Sequence, residues 1–479
     1  MTAIDATIPP MPPGHESADA ALSPGSATTS AAPSAPPLPP DGEMLRRVFE
    51  VLDRDGLAYC VTHAYQNFPQ HVEHDVDCVV PREMLPRRLG ELLKQNQQLI
   101  GGRIVQWFEE RANFIVLQGR EPSPNNDGGP VMLQLHVSSD FEVKNRVIAG
   151  GNHILSTRRW FLNRFWSPAP HVEFACVLAN RIDKRMLDAV HTRRLSALWA
   201  MEPLRCSEQL ERMFRPPSVA LVGASALRNE WEPVLAVLAA LRREMMLKLA
   251  VTQPLSYACR VADKYVRRIK RWSRPAGGLH VVFLGPDGVG KSTVIDAVQK
   301  RLAPAFLRTT YQTFARGPLG HRAKPSPHAL PPRSLPASLL KACWWLACYT
   351  FGYFTSVYPT LVRGGLVLNH RYLLDAIVDP RRYRYSGPLA LLRAIWHFSP
   401  KPDIVIVLDA PADVIHARKE ETTLEETTRQ RDAYVALAAK TRNAHVVDTS
   451  QSPQQTIDDV TNILLDHMAA DVARRLKLK

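Results

Sequence analysis

The sequence has few of the features that mark secreted, metal-binding or membrane-spanning proteins. Its seven cysteines form no C-x-x-C pair and no zinc-ligand spacing, so neither a disulfide framework nor a structural zinc site is indicated. A basic segment followed by an apolar run, typical of a secretory signal, is absent from the N-terminus. We therefore expect a cytoplasmic protein, with peripheral membrane association left open.

Large apolar side chains are also scarce in residues 1–40, which are rich in Pro, Ala and Ser. Such a segment buries too little surface to offset its chain entropy, so we predict a disordered tail. One stretch of the chain, residues 342–358, is apolar and aromatic enough to raise the question of a membrane span. At about 17 residues it is at the short limit for crossing a bilayer. Because it lies between segments of one predicted domain, a buried or surface-docked helix is favoured.

What is present fits a soluble protein of two domains and a connector. The chain has 479 residues, of which 45% are hydrophobic and 22% are charged. Its formal net charge of +14 favours anionic partners such as nucleic acid, an acidic membrane surface or phosphorylated small molecules, and the sign alone does not choose among them. For the basic cluster at residues 264–274, a solvated helix face is favoured over a binding site.

The order of helical and strand patterns predicts the domain organisation. Residues 41–185 contain two helical patterns, at residues 44–56 and 83–95, and several strand patterns, the first at residues 57–63. This mixture indicates an α+β domain. Residues 186–278 are mostly helical in pattern and predict a connector. From residue 279, strands alternate with helices up to residue 479, and this order predicts an α/β domain with a parallel sheet covered by helices on both faces.

A glycine-rich segment follows the first strand of the α/β domain. The string GPDGVGKS at residues 285–292 matches G-x-x-x-x-G-K-[ST] between a predicted strand and helix, the context that a phosphate-binding loop requires. We predict that ATP binds to Gly285, Pro286, Asp287, Gly288, Val289, Gly290, Lys291, Ser292 and Thr293. Lys291 is expected to reach the β and γ phosphates, and the Ser292 hydroxyl is expected to hold Mg²⁺.

The string FLGPDGVGKST resembles the loop of thymidylate kinase-like P-loop kinases. Three later segments resemble parts of the same family in the same order: GLVLNHRY at residues 365–372, KPDIVIVLDAP at residues 401–411, and a basic segment from residue 416 to residue 431 that is similar to the family's lid. The resemblance covers about residues 279–470. It implies an ATP-dependent and Mg²⁺-dependent phosphotransferase.

The resemblance also implies roles for individual residues. Arg371, followed by Tyr372, is expected to bind the acceptor phosphate, and Arg316 is a second candidate for that anion. Since the loop has Gly288 where some family members carry a basic residue, the lid must supply the catalytic cations. We expect Arg418 and Arg429 to be these cations, and Lys419 and Arg431 are further candidates. For each of the four, a position on a solvated helix face without a catalytic role is about equally compatible with the sequence.

Two departures from the family affect the metal and the acceptor. His370 stands where the family has an Asp, so Asp287 and Asp409 are predicted to complete the Mg²⁺ site. The segment DPRRYRY at residues 379–385 is unusually basic and resembles a subgroup associated with bacterial surface polysaccharide production. We therefore predict an anionic small-molecule acceptor contacted by Arg381 and Arg382, and no specific nucleic-acid partner. A solvent-facing role for these arginines is equally compatible with the sequence.

The N-terminal domain carries a weaker motif. Asp75 and Asp77 form a D-x-D pair on a predicted strand, which resembles the minimal nucleotidyltransferase fold. No Gly-Ser pair precedes it, and the later strand offers His136 where a third carboxylate is expected, with Asp140 further along. A degenerate, binding-only domain is therefore favoured over nucleotidyl transfer.

Three functions remain compatible with the sequence. The first is a small-molecule kinase that serves surface polysaccharide or nucleotide-sugar metabolism. The second is a nucleotide-binding regulatory or scaffold protein of a membrane-associated complex, and the third is a true thymidylate kinase. The sequence leaves the acceptor and the oligomeric state undetermined.

Overall fold

Two five-stranded sheets organise the protein in this computed structural model. The structure describes residues 37–63, 65–72, 75–123, 126, 128–162, 164–273, 275–313, 331–419 and 423–478. Within it, Leu38–Lys479 forms one compact unit. Most of the predicted disordered tail, residues 1–40, lies outside the described residues.

The first sheet has the strand order β1-β2-β5-β4-β3, in which only β2 and β5 are parallel. Its strands are β1 (Cys60–Val61), β2 (Val76–Val79), β3 (Gly102–Glu109), β4 (Asn113–Pro122) and β5 (Pro130–Ser138). Three helices accompany them: α1 (Pro40–Arg54), α2 (Arg87–Gln95) and α3 (Gln97–Ile100). The mixture of helices and strands predicted for this part of the chain is present, whereas its relation to nucleotidyltransferases stays a prediction.

Two local expectations for this region need correction. The predicted strand at residues 57–63 contains only the two paired residues of β1. The helix predicted across residues 83–95 is instead a 3-10 turn, Arg82–Met84, followed by α2. Leu85, which precedes Pro86, has extended dihedral angles (φ −96°, ψ 141°), and extended geometry is what a residue before proline prefers.

A helical region connects the two sheets. It follows two small hairpins and one short helix: β6 (Phe141–Val143), β7 (Arg146–Ala149), α4 (Gly151–Thr157), β8 (Arg159–Phe161) and β9 (Phe165–Ser167). The helices are α5 (Pro170–Lys184), α6 (Ala189–Met201), α7 (Pro203–Met213), α8 (Pro216–Arg228), α9 (Glu232–Ala236), α10 (Leu238–Thr252) and α11 (Pro254–Ser273). One apolar cluster joins α5 to α10, and α11 contributes no buried residue.

The second sheet is entirely parallel, as predicted, with the order β11-β12-β10-β13-β14. Its strands are β10 (Leu279–Leu284), β11 (Arg308–Thr313), β12 (Gly365–His370), β13 (Ile404–Asp409) and β14 (Ala444–Asp448). The associated helices are α12 (Lys291–Leu302), α13 (Leu335–Gly352), α14 (Tyr358–Val362), α15 (Leu373–Val378), α16 (Leu389–Phe398), α17 (Ala412–Arg418), α18 (Leu424–Ala439) and α19 (Pro453–Leu476). All six residues of β10 are buried, because helices cover both faces of the sheet.

The two sheets share apolar packing. Alternate residues of β4 belong to different clusters: Ile115 packs with the N-terminal helices, and Val116 packs with β10, α12 and α19. The end of α19 returns to the first sheet, where Val472 joins the N-terminal cluster and Arg475 donates to the carbonyl oxygen of Trp107 at 3.1 Å. The first sheet therefore has packing partners on both faces.

The aromatic stretch at residues 342–358 is helical, in agreement with the prediction of a docked helix. It spans α13, a π-helical turn at Tyr353–Val357 and the start of α14. Ala342 and Trp345 pack into the apolar cluster of the second sheet. Over the described part of the chain, none of the helices is both long enough and apolar enough to cross a membrane. The seven cysteines are all free thiols.

Candidate functional site

Three glycines shape the turn between β10 and α12. Gly285, Gly288 and Gly290 have φ values of 139°, 88° and 95°, which L side chains rarely adopt. A Cβ atom at Gly285 would also lie 2.5 Å from the carbonyl oxygen of Leu408. α12 begins directly after the turn, at Lys291. This geometry suits a phosphate group, because a tight glycine turn and a helix N-terminus direct N–H groups toward one point.

The structure brings the nine predicted nucleotide-binding residues together in this turn and the first turn of α12. Ser292 and Thr293 are exposed there. The backbone turn and the Ser292 hydroxyl fit a magnesium-bound triphosphate, so these are the groups that would hold ATP and its metal ion.

The amino group of Lys291 is buried against the loop. It donates hydrogen bonds of 2.8 Å and 2.7 Å to the carbonyl oxygens of Gly285 and Pro286, and lies 3.6 Å from an Asp287 oxygen. Burial lowers the pKa of Lys291 from 10.5 to about 8, and the positive charge of Arg371 acts in the same direction. The side chain is therefore mostly charged near neutral pH, and a bound anion would favour that form.

Asp287 is contacted by two arginines from distant parts of the sequence. Arg371 donates to one of its carboxylate oxygens and Arg382 donates to the other. The side chains of Arg371, Arg382 and Asp287 are 12%, 20% and 15% exposed. Three predicted site residues and Lys291 thus form one positively charged cluster at the loop, although their roles in catalysis and acceptor binding stay predictions.

A buried carboxylate that the sequence analysis did not single out supports this cluster. Asp375, at the start of α15, accepts hydrogen bonds from the Tyr434 hydroxyl (2.6 Å) and the Tyr372 backbone N–H (2.7 Å). Burial raises the pKa of Asp375. Burial alone would lower the pKa of Arg371, but the Asp375 and Asp287 carboxylates raise it. The sequence does contain a signal for Asp375, because it is an acidic residue within the otherwise apolar string YLLDAIV.

The two neighbours of Arg371 in sequence, His370 and Tyr372, add no positive charge to the site near pH 7. Burial lowers the pKa of His370 to about 4, with Lys291 and Arg371 adding to the effect, so its imidazole is neutral near pH 7. The ring of Tyr372 packs in the core, and its hydroxyl donates to the carbonyl oxygen of Pro400 at 3.0 Å. These are packing contacts, and a role for Tyr372 in acceptor binding stays a prediction.

The two predicted acceptor arginines of the loop after α15 face different surroundings. Arg382 reaches Asp287, and its backbone N–H donates to buried Asp379 at 3.1 Å. Arg381 is exposed, and its charge acts on Glu426 of α18. Only Arg382 of this pair therefore lies at the phosphate-binding loop.

The predicted lid cations have other contacts in this structure. Arg418 donates to the carbonyl oxygen of Thr449 at 3.0 Å, and Arg429 pairs with Glu426 at 2.6 Å. The Arg429 hydrogen bond, more than any other interaction, lowers the pKa of Glu426 to about 2. The catalytic roles of Arg418 and Arg429 thus require a rearrangement of these side chains.

The turn between α17 and α18 approaches the phosphate-binding loop. A Cβ atom at Gly288 would lie 3.0 Å from Cβ of Lys419 and 3.1 Å from the carbonyl oxygen of Ile415. Arg431 donates to both oxygens of Asp409, at 2.8 Å and 3.0 Å. Asp287 and Asp409, both predicted metal ligands, are thus engaged by arginines. The remaining candidate, Arg316, and the centre of the lid, residues 420–422, lie outside the described residues.

The N-terminal D-x-D pair faces a histidine on the neighbouring strand. His136 Nε2 lies 3.3 Å from Asp75, and Nδ1 lies 3.8 Å from Asp77. Burial raises the pKa of Asp77 to about 6, with His136 opposing and Asp75 reinforcing the shift. Among the residues whose placement is described, no set of three or more His, Cys, Asp or Glu side chains could hold a metal ion.

Comparisons with known proteins support a kinase-like enzyme. No family model matches the chain. A thymidylate kinase from Enterococcus faecalis (strain ATCC 700802 / V583) is 25% identical over 181 residues, which are 37% of this chain and 85% of that protein. The crystal structure of thymidylate kinase from Ehrlichia chaffeensis matches 40% of this chain and 96% of that chain at 18% identity, with a TM-score of 0.28. The chain is thus distantly similar to thymidylate kinase over about 40% of its length.

Proposed function

We propose that the C-terminal part of the chain is an ATP-dependent phosphotransferase for an anionic small molecule. The observation that carries the proposal is the convergence of Lys291, Arg371 and Arg382 on the Asp287 carboxylate within the phosphate-binding loop. Three cations against the carboxylates of Asp287 and Asp375 leave a net positive charge in a partly buried site. Such a site stabilises phosphate groups more strongly than exposed cations do, because less solvent screens the charges.

Each side chain has a distinct task in this proposal. The loop N–H groups and Lys291 hold the phosphates of ATP, and the Ser292 hydroxyl holds Mg²⁺. ATP would supply the phosphoryl group. Arg371 and Arg382 orient an acceptor phosphate by paired guanidinium contacts, which match the geometry of phosphate oxygens. Arg418 and Arg429 supply further charge when the lid closes over the loop.

The proposed acceptor is a phosphorylated sugar or a lipid-linked phosphate, in surface polysaccharide or nucleotide-sugar metabolism. A thymidine pocket requires groups that pair with a pyrimidine and stack on it. Here Arg382 reaches the phosphate-binding loop, whereas Arg381 of the same turn is exposed and acts on Glu426. A guanidinium at this place favours an acceptor with an anionic group beside the loop.

A second function is favoured by two specific observations. His370 has an imidazole in place of a carboxylate, and both oxygens of Asp409 accept hydrogen bonds from Arg431, so neither residue offers a free carboxylate to a metal ion. A nucleotide-binding regulatory or scaffold protein needs the loop but not that carboxylate. It would bind ATP without transferring the phosphoryl group to any acceptor.

Calorimetric titration with ATP and Mg²⁺, followed by turnover assays, separates these functions. The wild-type chain should bind ATP, and Lys291→Ala should abolish transfer without unfolding the protein. Arg382→Ala should raise KM for the acceptor, whereas Arg393→Ala, an exposed arginine on α16, should not. Absence of ATP binding rejects both functions. Binding without turnover of nucleoside monophosphates, sugars or sugar phosphates supports the regulatory protein, and dTMP turnover at about 1 to 100 per second supports a thymidylate kinase.

A further inference from the structure

Helix α11 exposes its apolar side. Its apolar residues recur at three- and four-residue spacing, so they share one face of the helix. These residues are Leu255, Ala258, Cys259, Ala262, Tyr265, Val266, Ile269 and Trp272, and all of them are exposed. Leu255 and Ile269 are 80% and 70% exposed. A helix in a globular protein normally buries such a face, so this stripe marks an interaction surface.

The opposite side of α11 is basic and faces the body of the protein across a cleft of about 520 Å³. Five cations of the helix line this cleft: Arg260, Lys264, Arg267, Arg268 and Arg271. Arg308 and Arg363 lie on its other side, against only two acidic lining residues, Glu110 and Glu142. The sequence predicted that this basic face is exposed to solvent, but part of it lines the cleft. The residues that line the cleft carry an excess of positive charge.

Two of these arginines retain unused hydrogen-bonding capacity. The Nε groups of Arg267 and Arg271 are buried and have no hydrogen-bond partner among the described residues. Arg267 pairs with Asp263 through its terminal nitrogen, and Arg271 lies 3.6 Å from Glu110. Buried N–H groups of this kind favour an additional acceptor such as a phosphate oxygen.

Helix α13 carries a second exposed apolar stripe, which also recurs at helical spacing. Its members are Leu340, Cys343, Trp344, Ala347, Phe351 and Phe354. No acidic residue occurs between residues 335 and 362. Aromatic contacts connect the two stripes: the Tyr358 ring lies 5.8 Å from that of Trp272 and 6.0 Å from that of Phe354. The two apolar stripes therefore meet at their C-terminal ends through Tyr358, and together they are here called the α11–α13 surface.

We propose that the α11–α13 surface docks on an anionic lipid bilayer. The apolar stripes would enter the boundary between headgroups and acyl chains, where Trp and Tyr side chains are favoured. Exposed Lys270 and Arg268 flank the α11 stripe on its two sides. Lys270 and Arg268 would then lie beside the lipid phosphates and pair with them, while the buried Nε groups of Arg267 and Arg271 stay in the cleft on the opposite side of the helix.

Charge complementarity selects a lipid surface over a second copy of the chain. A two-fold contact through α11 brings the cations of one copy close to those of the other, so the basic residues of both copies repel one another. An anionic bilayer instead neutralises them, and each cation near such a surface adds to the affinity. The proposal requires neither ATP binding nor catalysis. The vesicle experiments therefore test it independently of the proposed kinase function.

Co-sedimentation of the full chain with vesicles tests the proposal. We expect binding to phosphatidylcholine vesicles that contain phosphatidylserine, and much weaker binding to phosphatidylcholine alone or at high salt. Ile269→Asp should reduce the partition coefficient about tenfold or more, whereas Leu204→Asp, an 81% exposed site on α7, should leave it unchanged. Arg268→Gln and Lys270→Gln should each reduce binding to anionic vesicles about fivefold.

A fluorescence measurement locates the contact directly. The exposed cysteines Cys259 and Cys343 lie one in each stripe, so an environment-sensitive dye on either thiol should shift to the blue when anionic vesicles are added. Absence of vesicle binding, unchanged binding of the folded Ile269→Asp variant, or an unshifted dye each overturns the proposal. Light scattering provides a further test. If the wild-type chain is a dimer and Ile269→Asp makes it a monomer, the surface binds a second copy of the chain, and the lipid proposal is overturned.

Discussion

Replacing Lys291 by Met separates the function of this residue from its effect on stability. Met keeps the apolar part of the side chain and removes the charge that burial disfavours. The pKa of Lys291 falls from 10.5 to about 8 on folding, which corresponds to about 3 kcal/mol of stability lost near pH 7. The chain binds this proton less tightly when folded than when unfolded. The destabilisation is therefore fully present below about pH 8 and disappears as the pH rises through 8 toward 10.5.

The variant also loses the hydrogen bonds from Lys291 to the Gly285 and Pro286 carbonyl oxygens, at about 1 kcal/mol each. This loss does not change with pH, so the pH dependence of the stability difference isolates the charge. We expect the stability of Lys291→Met relative to wild type to decrease by about 2 kcal/mol between about pH 7 and about pH 9.5.

Urea unfolding of both proteins, followed by the fluorescence of the nine tryptophans, measures this difference. Most other titrating groups are common to both proteins and cancel, and His370, whose pKa Lys291 helps to lower, is already neutral over this range. ATP should bind the wild type more weakly as the pH rises above about 8, because the neutral amine attracts phosphate less. A stability difference that is independent of pH, with unchanged ATP affinity across the same range, would refute a buried and charged Lys291.

Two further predictions concern the support of the site and the N-terminal domain. Tyr434→Phe should destabilise the chain by about 1 to 3 kcal/mol in urea unfolding, because buried Asp375 loses a hydrogen-bond donor; an unchanged midpoint would contradict this reasoning. The full chain with the Lys291→Met background should transfer no nucleotide from labelled nucleoside triphosphates with Mg²⁺ or Mn²⁺. Robust transfer that Asp75→Asn or Asp77→Asn abolishes would show that the N-terminal domain is a nucleotidyltransferase.

Local sequence patterns were enough to predict the glycine-rich turn between a strand and a helix and to predict the parallel sheet. Gly285, Gly290 and Lys291 stand between a continuous apolar run and a helical pattern, and this order depends only on neighbours in sequence. The buried strands β10 and β13 were recognisable for the same reason, since a strand covered on both faces is apolar throughout. The break at Pro86 was overlooked, although its signal was also local.

The tertiary structure alone decided which cations meet at the loop. Arg382 is 95 residues from Asp287, and Tyr434 is 59 residues from Asp375. No spacing rule predicts contacts over such separations, because they follow from the strand order and from the path of the intervening chain. Arg381 and Arg382 were indistinguishable in sequence and differ only in the direction that the turn gives each side chain.

The orientation of α11 shows most clearly which features follow from the local sequence and which depend on the tertiary structure. The sequence pattern predicted helices across residues 186–278 and a solvated basic face at residues 264–274. It could not predict that the cleft faces Arg267 and Arg271 while Ile269 points to solvent, because a helical repeat describes two faces but not which of them the rest of the chain covers. That choice depends on packing partners supplied by distant segments, and packing is a property of the folded chain.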